Sequence, residues 1–398
     1  MTPVGPDIQR REFGGLDPLD RRLGVPKPPS ALEWLLSLLR RRSALGLAPS
    51  LTPAVAFLLL GFVLGPHALG WFSPRLMTRL DLAVTVALTV LGVLVGVALG
   101  REIQRAARLF LAASLESAIT TGAVMAATMY FVHATRVPID VSIAGFSLAL
   151  GLCASASSAT SADPDSESAA AVATRVADLD DVLPIVLAVI AFAVLSTPDR
   201  SQAVARLAAP LLIGLAAGAI GWLVFERAES GPERVVFVLG TLALAGGAAA
   251  YMRVSPLAVG MVAGFVWTAA PGRADRIVDA DLRKVQHPLV VLLLVAAGAQ
   301  STVTTMAFWL LPPYLLFRLA GKVAGAWLSA PLVDVRASDL AAFLMPPGVL
   351  AVAFALNFRQ VLPPAMGDVL LSTVAIGTAA FELFALAVVP HWRHKAGR

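Results

Sequence analysis

A single cysteine, Cys153, cannot close an internal disulfide, and the five histidines (His67, His133, His287, His391 and His394) fall at no spacing that would hold a metal. A resident metal or redox centre is therefore not expected. Charge is scarce as well: Asp, Glu, Lys and Arg make up 14% of the 398 residues, against 58% hydrophobic residues, and the mean hydropathy is +0.78. Ordinary soluble domains carry about 25% charged residues, so this composition describes an all-α polytopic membrane protein. The formal charge of +5 invites a nucleic-acid reading, but in a membrane protein the same excess records loop orientation.

Apolar runs of spanning length fall near 49–66, 80–99, 109–132, 141–161, 176–195, 207–225, 234–251, 254–270, 286–300, 304–330, 338–357 and 367–390, giving about 12 transmembrane helices. With the N-terminus cytoplasmic, the tail and inner loops hold 22 Lys and Arg residues and the outer loops hold 7. Both termini are then inside, no nucleic-acid patch remains, and a plasma (inner) membrane location follows. Residues 1–48 read as a cytoplasmic tail followed, over 31–47, by an interfacial rather than a spanning helix. Residues 391–398 form a short cytoplasmic end.

Asp180 and Asp181 are adjacent, and the apolar run after them, 182–195, has only 14 residues. A span needs about 20, so it must recruit residues before the pair and draw both carboxyls toward the bilayer interior. Acids at that depth are kept mainly where they bind ions or relay protons. Shortly before them, 151–168 reads GLCASASSATSADPDSES. Either the helix ends near Ala159 and a polar loop follows, or it is a discontinuous helix whose carbonyls and hydroxyls line an ion site. A second break is expected at Met345, Pro346, Pro347 and Gly348, since consecutive prolines beside glycine do not continue a helix. The interrupted spans are the fourth and the eleventh, each the middle member of a three-span unit, as an inverted repeat would place them.

Two cations, Arg318 and Lys322, fall inside the tenth span. The small residues Ala324, Gly325 and Ala326 after Lys322 favour close helix approach, which would enclose its ammonium. The expected partner is Asp180 or Asp181. Arg318, one turn away, is expected to snorkel or to pair instead. Glu116, Asp81 and Glu382 are weaker candidates: Glu116, in the third span, either takes part in transport or faces the protein interior with a Ser or Thr partner such as Ser114 or Ser117, and Glu382 is expected to support the core.

These segments resemble the monovalent cation:proton antiporter superfamily, in the branch with paired aspartates that is related to K+ efflux antiporters. The likeness is carried by LGLAPSLTPAVAFLLLGFVLGPHALG, by ADLDDVLPIVLAVIAF, by RVSPLAVGMVAGFVW followed by VQHPLVVLLLVAAGAQ, by FRLAGKVAGAWL and by TAAFELFALAVVP. It implies inverted repeats with two discontinuous crossing helices, over a transmembrane domain at 49–390. The core helices would be about 109–195 and 304–390, and the other spans a dimerisation scaffold, so a homodimer is implied. It further implies that Asp181 holds either cation or proton, that Asp180 pairs with Lys322, and that Ser158, Ala159, Thr160 and Ser161 lie at the crossing, with Thr160 and Ser161 supplying oxygens. No cofactor is implied, and no metal beyond the transported cation.

Two adjacent acids and a lysine titrate as a coupled set, so protons and a monovalent cation would compete for one site. Na+ or Li+ is favoured. K+/H+ exchange and sodium-coupled symport of an organic anion on the same fold are the nearest alternatives, and a non-transporting membrane sensor is the alternative of a different class. An intramembrane aspartyl protease is excluded because it needs acids on facing helices and a Gly-x-Gly-Asp motif, which the sequence lacks. Release of a proton from Lys322 would make the exchange electrogenic.

Overall fold

The computed structural model describes residues 51–396, apart from 103–106, 136–141, 158–168, 197–199, 226, 228–230 and 271–273. The expected tail, the 31–47 segment, and Ser158, Ala159, Thr160 and Ser161 lie outside the described residues. Regular structure among the described residues is helical. The first three spans are α1 (Leu51–Leu64), α2 (Pro74–Glu102) and α3 (Ala107–Thr135). The fourth is α4 (Ile143–Ser155), and the fifth is made of α5 (Ala169–Leu179) and α6 (Val182–Ser196). Next come α7 (Arg200–Phe225), α8 (Gly231–Met252), α9 (Pro256–Ala269) and α10 (Ala274–Gln300). The tenth span is α11 (Thr305–Ser329), the eleventh is α12 (Ala337–Leu344) with α13 (Val349–Arg359), and the twelfth is α14 (Pro364–Ala396).

Length and apolarity alone single out five of these as membrane-crossing, with the α12 and α13 pair, bent by 53°, as a sixth. Among the described residues, the apolar parts of α1, α4, α9 and α10 (Ala54–Leu64, Ile143–Ser155, Pro256–Ala269 and Val285–Gln300) fall short of that length. The protein is multi-pass.

The packing repeats. α1 lies on α10 as α9 lies on α2, α3 meets α4 as α11 meets α12, and α4 meets α6 as α13 meets α14. α3 against α11, and α4 against α13, complete the set. Exchanging spans one to five with spans eight to twelve maps each contact onto another or onto itself. A shift of seven spans also reverses direction, so the two halves form an inverted repeat.

Helices surrounded by lipid gain little from burying apolar surface and associate through close backbone contact. At the α2–α9 crossing, a Cβ added to Gly92 or Gly96 would strike the α9 backbone at Leu257 or Met261, and one on Gly260 or Gly264 would strike α2 at Thr89 or Val93. A separate apolar cluster joins α2, α7, α8 and α9 around Trp267, whose indole N–H donates to the Gly218 carbonyl at 2.8 Å.

Candidate functional site

The aspartate pair sits where α5 meets α6, and a proline explains the join. The Asp180 N–H donates to the Val176 carbonyl at 2.9 Å and the Ile185 N–H to the Asp181 carbonyl at 3.1 Å, so helical bonding continues on both sides. Pro184 has no N–H to return to the Asp180 carbonyl four residues earlier, and its ring crowds that oxygen. The helix is thus relieved of one backbone bond beside two carboxyls. Both aspartates are buried, Asp181 being 2% exposed.

The fourth span stops at Ser155, and Ala156 and Ser157 follow in non-helical conformation. The last carbonyls of a helix have no partners within it and carry its negative dipole end. Here two cations from α11 meet them. Arg318 donates from Nη2 to the Ala156 carbonyl at 2.9 Å, and Lys322 donates to the Ser155 carbonyl and to Ser157 Oγ. The Ser157 hydroxyl donates in turn to Asp180 Oδ2, which lies 3.4 Å from Lys322 Nζ.

Arg318 does not snorkel. It is fully buried, with its guanidinium 4.8 Å from the Phe381 ring centre. Arg318 and Lys322 are four residues apart and share one stripe of α11 with Gly321, Gly325 and Ser329, while Leu316, Val323, Ala324 and Trp327 face outward.

Glu116 is where the structure departs most from expectation. Its partner is neither Ser114 nor Ser117, whose hydroxyls accept and donate no hydrogen bond. The Thr120 hydroxyl donates to Glu116 Oε1 at 2.9 Å, and Lys322 Nζ lies 3.1 Å from Oε1 and 3.2 Å from Oε2. The helix crossing makes this reach possible. A Cβ on Gly325 would sit 3.0 Å from the Glu116 Cα, and one on Gly321 would sit 2.8 Å from the Thr120 Cα. Lys322 therefore bridges Glu116 and Asp180, and Asp181 is not among its contacts.

Asp181 instead lines a cavity of about 150 Å³ with Leu91, Arg101, Asp178, Gln286 and Leu350. Asp180 Oδ1 and Asp181 Oδ1 are both buried without a hydrogen-bond partner. Leu350 is the second residue of α13, so this cavity reaches the second break. Met345, Pro346, Pro347 and Gly348 form that break, and all four are buried, which is the condition for irregular backbone at membrane depth.

A second cavity, of about 440 Å³, lies toward the other end of α2, lined by Asp81, Thr85, Arg253, Gln300, Arg359 and Gln360. Twenty residues of helix separate Asp81 from Arg101, about 30 Å of rise. Polar bridges tie helices together there: Gln300 Nε2 donates to Asp81 Oδ1 at 2.9 Å, and Arg359 donates to Gln300 Oε1 and to Asp368 Oδ1, each at 3.0 Å. Phe192 lines this cavity and packs against Phe358, with ring centres 5.4 Å apart. Glu382, on α14, is buried with Oε2 unpartnered and does not contact Lys322 or Arg318.

No family model and no curated protein matches the chain. Among solved structures, the sodium proton antiporter MjNhaP1 from Methanocaldococcus jannaschii at pH 8 superposes with a TM-score of 0.60, covering 90% of this chain and 100% of that one at 15% identity. The chain has the cation:proton antiporter fold.

Proposed function

We propose that this protein exchanges a monovalent cation for protons across the membrane, with Asp181 as the carboxylate that holds one or the other. The observation that carries this reading is a carboxyl 2% exposed, with one oxygen unpartnered, on the wall of a cavity that also reaches a break in the opposite repeat. An acid so placed is a buried, uncompensated charge unless it holds a proton or a cation.

Leaving aside Glu382, which does not contact Lys322 or Arg318, the buried carboxyls Glu116, Asp180 and Asp181 and the buried cations Arg318 and Lys322 leave one negative charge when all are ionised. One monovalent ion completes that balance. Carboxylate and carbonyl oxygens suit Na+ or Li+, with K+ as the alternative. The Asp180 carbonyl released by Pro184 is an available ligand.

Alternating access would move the core, α3–α6 with α11–α14, against the remaining helices. The cavity beside Arg101 then gives access from the side that the Lys and Arg bias marks as cytoplasmic. The Phe192–Phe358 contact and the Asp81–Gln300–Arg359–Asp368 bridges close the other side.

The test is proton flux in proteoliposomes after addition of Na+, Li+ or K+. Wild type should show cation-dependent flux that Asp181→Asn abolishes. Undiminished flux in folded Asp181→Asn protein would refute the assignment, and absence of flux with all three cations would favour a sensor.

A further inference from the structure

The ammonium of Lys322 is held more closely by Glu116 than by Asp180. It lies within 3.2 Å of both Glu116 carboxyl oxygens, and its one contact with Asp180 is at 3.4 Å. The Thr120 hydroxyl fixes the same carboxyl from the following turn, and α11 seats Gly325 directly on the Glu116 backbone. Neither Glu116 nor Lys322 lines the cavity that Asp181 lines. Glu116 is thus a fixed anion, whereas Asp181 stands at the cavity wall. The charged groups gathered here are Lys322 and Arg318 from α11, with Asp180 and Asp181 from the α5–α6 junction, and Arg318 is engaged with the Ala156 carbonyl.

We propose that Glu116 is the standing counter-charge of Lys322, so that this lysine remains an ammonium through the whole cycle and carries no proton across. Exchange at Asp181 is then one monovalent cation for one proton, with no net movement of charge. Loss of the lysine proton would strand Glu116 as a buried carboxylate without a cation, the costly half of a broken pair. The two loaded states therefore differ only in what sits on Asp181: a proton on its carboxyl, or a cation against its carboxylate after that proton has left for water. Glu116 is a positioning residue, since it acts through Lys322. The inference rests on the exchange reading above.

The experiment measures, in proteoliposomes, the pH difference that brings net proton flux to zero against a fixed Na+, Li+ or K+ gradient. It is made at zero potential and at a thiocyanate diffusion potential of about 100 mV, at which a cycle of two protons per cation, carrying one net charge, would shift the balancing proton gradient roughly 7-fold. Wild type should balance at the same gradient with and without the potential. Glu116→Gln removes the anion and should make the balance point depend on potential. Lys322→Arg, whose guanidinium does not release a proton, should keep potential-independent exchange.

A wild-type balance point displaced about 7-fold by the potential overturns the proposal, as does active Glu116→Gln protein with no potential dependence. If Glu116→Gln does not fold, Lys322→Arg decides. Potential-independent exchange by that variant supports the proposal, and exchange whose balance point moves with the potential overturns it. Failure of the exchange reading itself looks different: no cation-dependent flux in wild type, or undiminished flux in Asp181→Asn.

Discussion

Replacing Lys322 with alanine removes the one group that touches both Glu116 and Asp180. Each of the three side chains is fully buried, and the lysine also satisfies the Ser155 carbonyl and the Ser157 hydroxyl. Removing one partner of a buried pair costs about 3–5 kcal/mol, because the charge left behind has neither water nor a counter-ion. At about 2 °C per kcal/mol for a chain of this size, the apparent Tm should fall by about 6–10 °C. Adding Glu116→Gln to Lys322→Ala removes one stranded carboxyl and should return about 1–3 kcal/mol. The assay is thermal unfolding of purified protein in one detergent at one scan rate, with all four members of the cycle measured together. A double variant no more stable than Lys322→Ala would refute the pairing of Glu116 with Lys322.

Three further outcomes follow from the same geometry. Gly325→Ala places a methyl 3.0 Å from the Glu116 backbone, so α11 must move off α3, with a loss of about 1–3 kcal/mol in thermal unfolding and slower exchange. Pro184→Ala restores a donor for the Asp180 carbonyl; the protein should be no less stable, while the apparent cation KM rises at least about tenfold, for one transition in binding free energy of about 1.4 kcal/mol. Since proton and cation compete for Asp181, lowering the pH below the titration range of the site should raise the apparent cation KM about tenfold per unit, with kcat unchanged; the sign follows because the proton-loaded form is the one that excludes cation.

Much of the fold could be read in the residues. The two prolines before Gly348 announced the second break, and the short apolar run after Asp181 forced its span to recruit α5. The fourth span is expected to end or break near Ala159, whereas its helix stops at Ser155; Ser158, Ala159, Thr160 and Ser161 lie outside the described residues, and Ser157 supplies the hydroxyl that reaches Asp180. Arg318 and Glu116 were misjudged for one reason: an isolated span shows which residues share a face and does not show which helix covers that face. A signal was present nonetheless. On α11 the residues that follow Arg318 on its buried face, besides Lys322, are small or polar (Gly321, Gly325, Ala326, Ser329), whereas Val323, Trp327 and Leu328 face outward. On α3, Glu116 shares its buried face with Ala112, Ala113, Thr120 and Ala127. Two such small-residue faces are complementary, and their meeting places the glutamate against the lysine.

The account turns on whether Asp181 trades a proton for a cation. Purified protein in weakly buffered detergent solution, titrated with Na+, Li+ or K+ while released protons are counted, addresses this without transport. Wild type should release about one proton per chain on binding its cation, with the release saturating, and Asp181→Asn should release none. Equal release from folded Asp181→Asn protein would contradict the central claim.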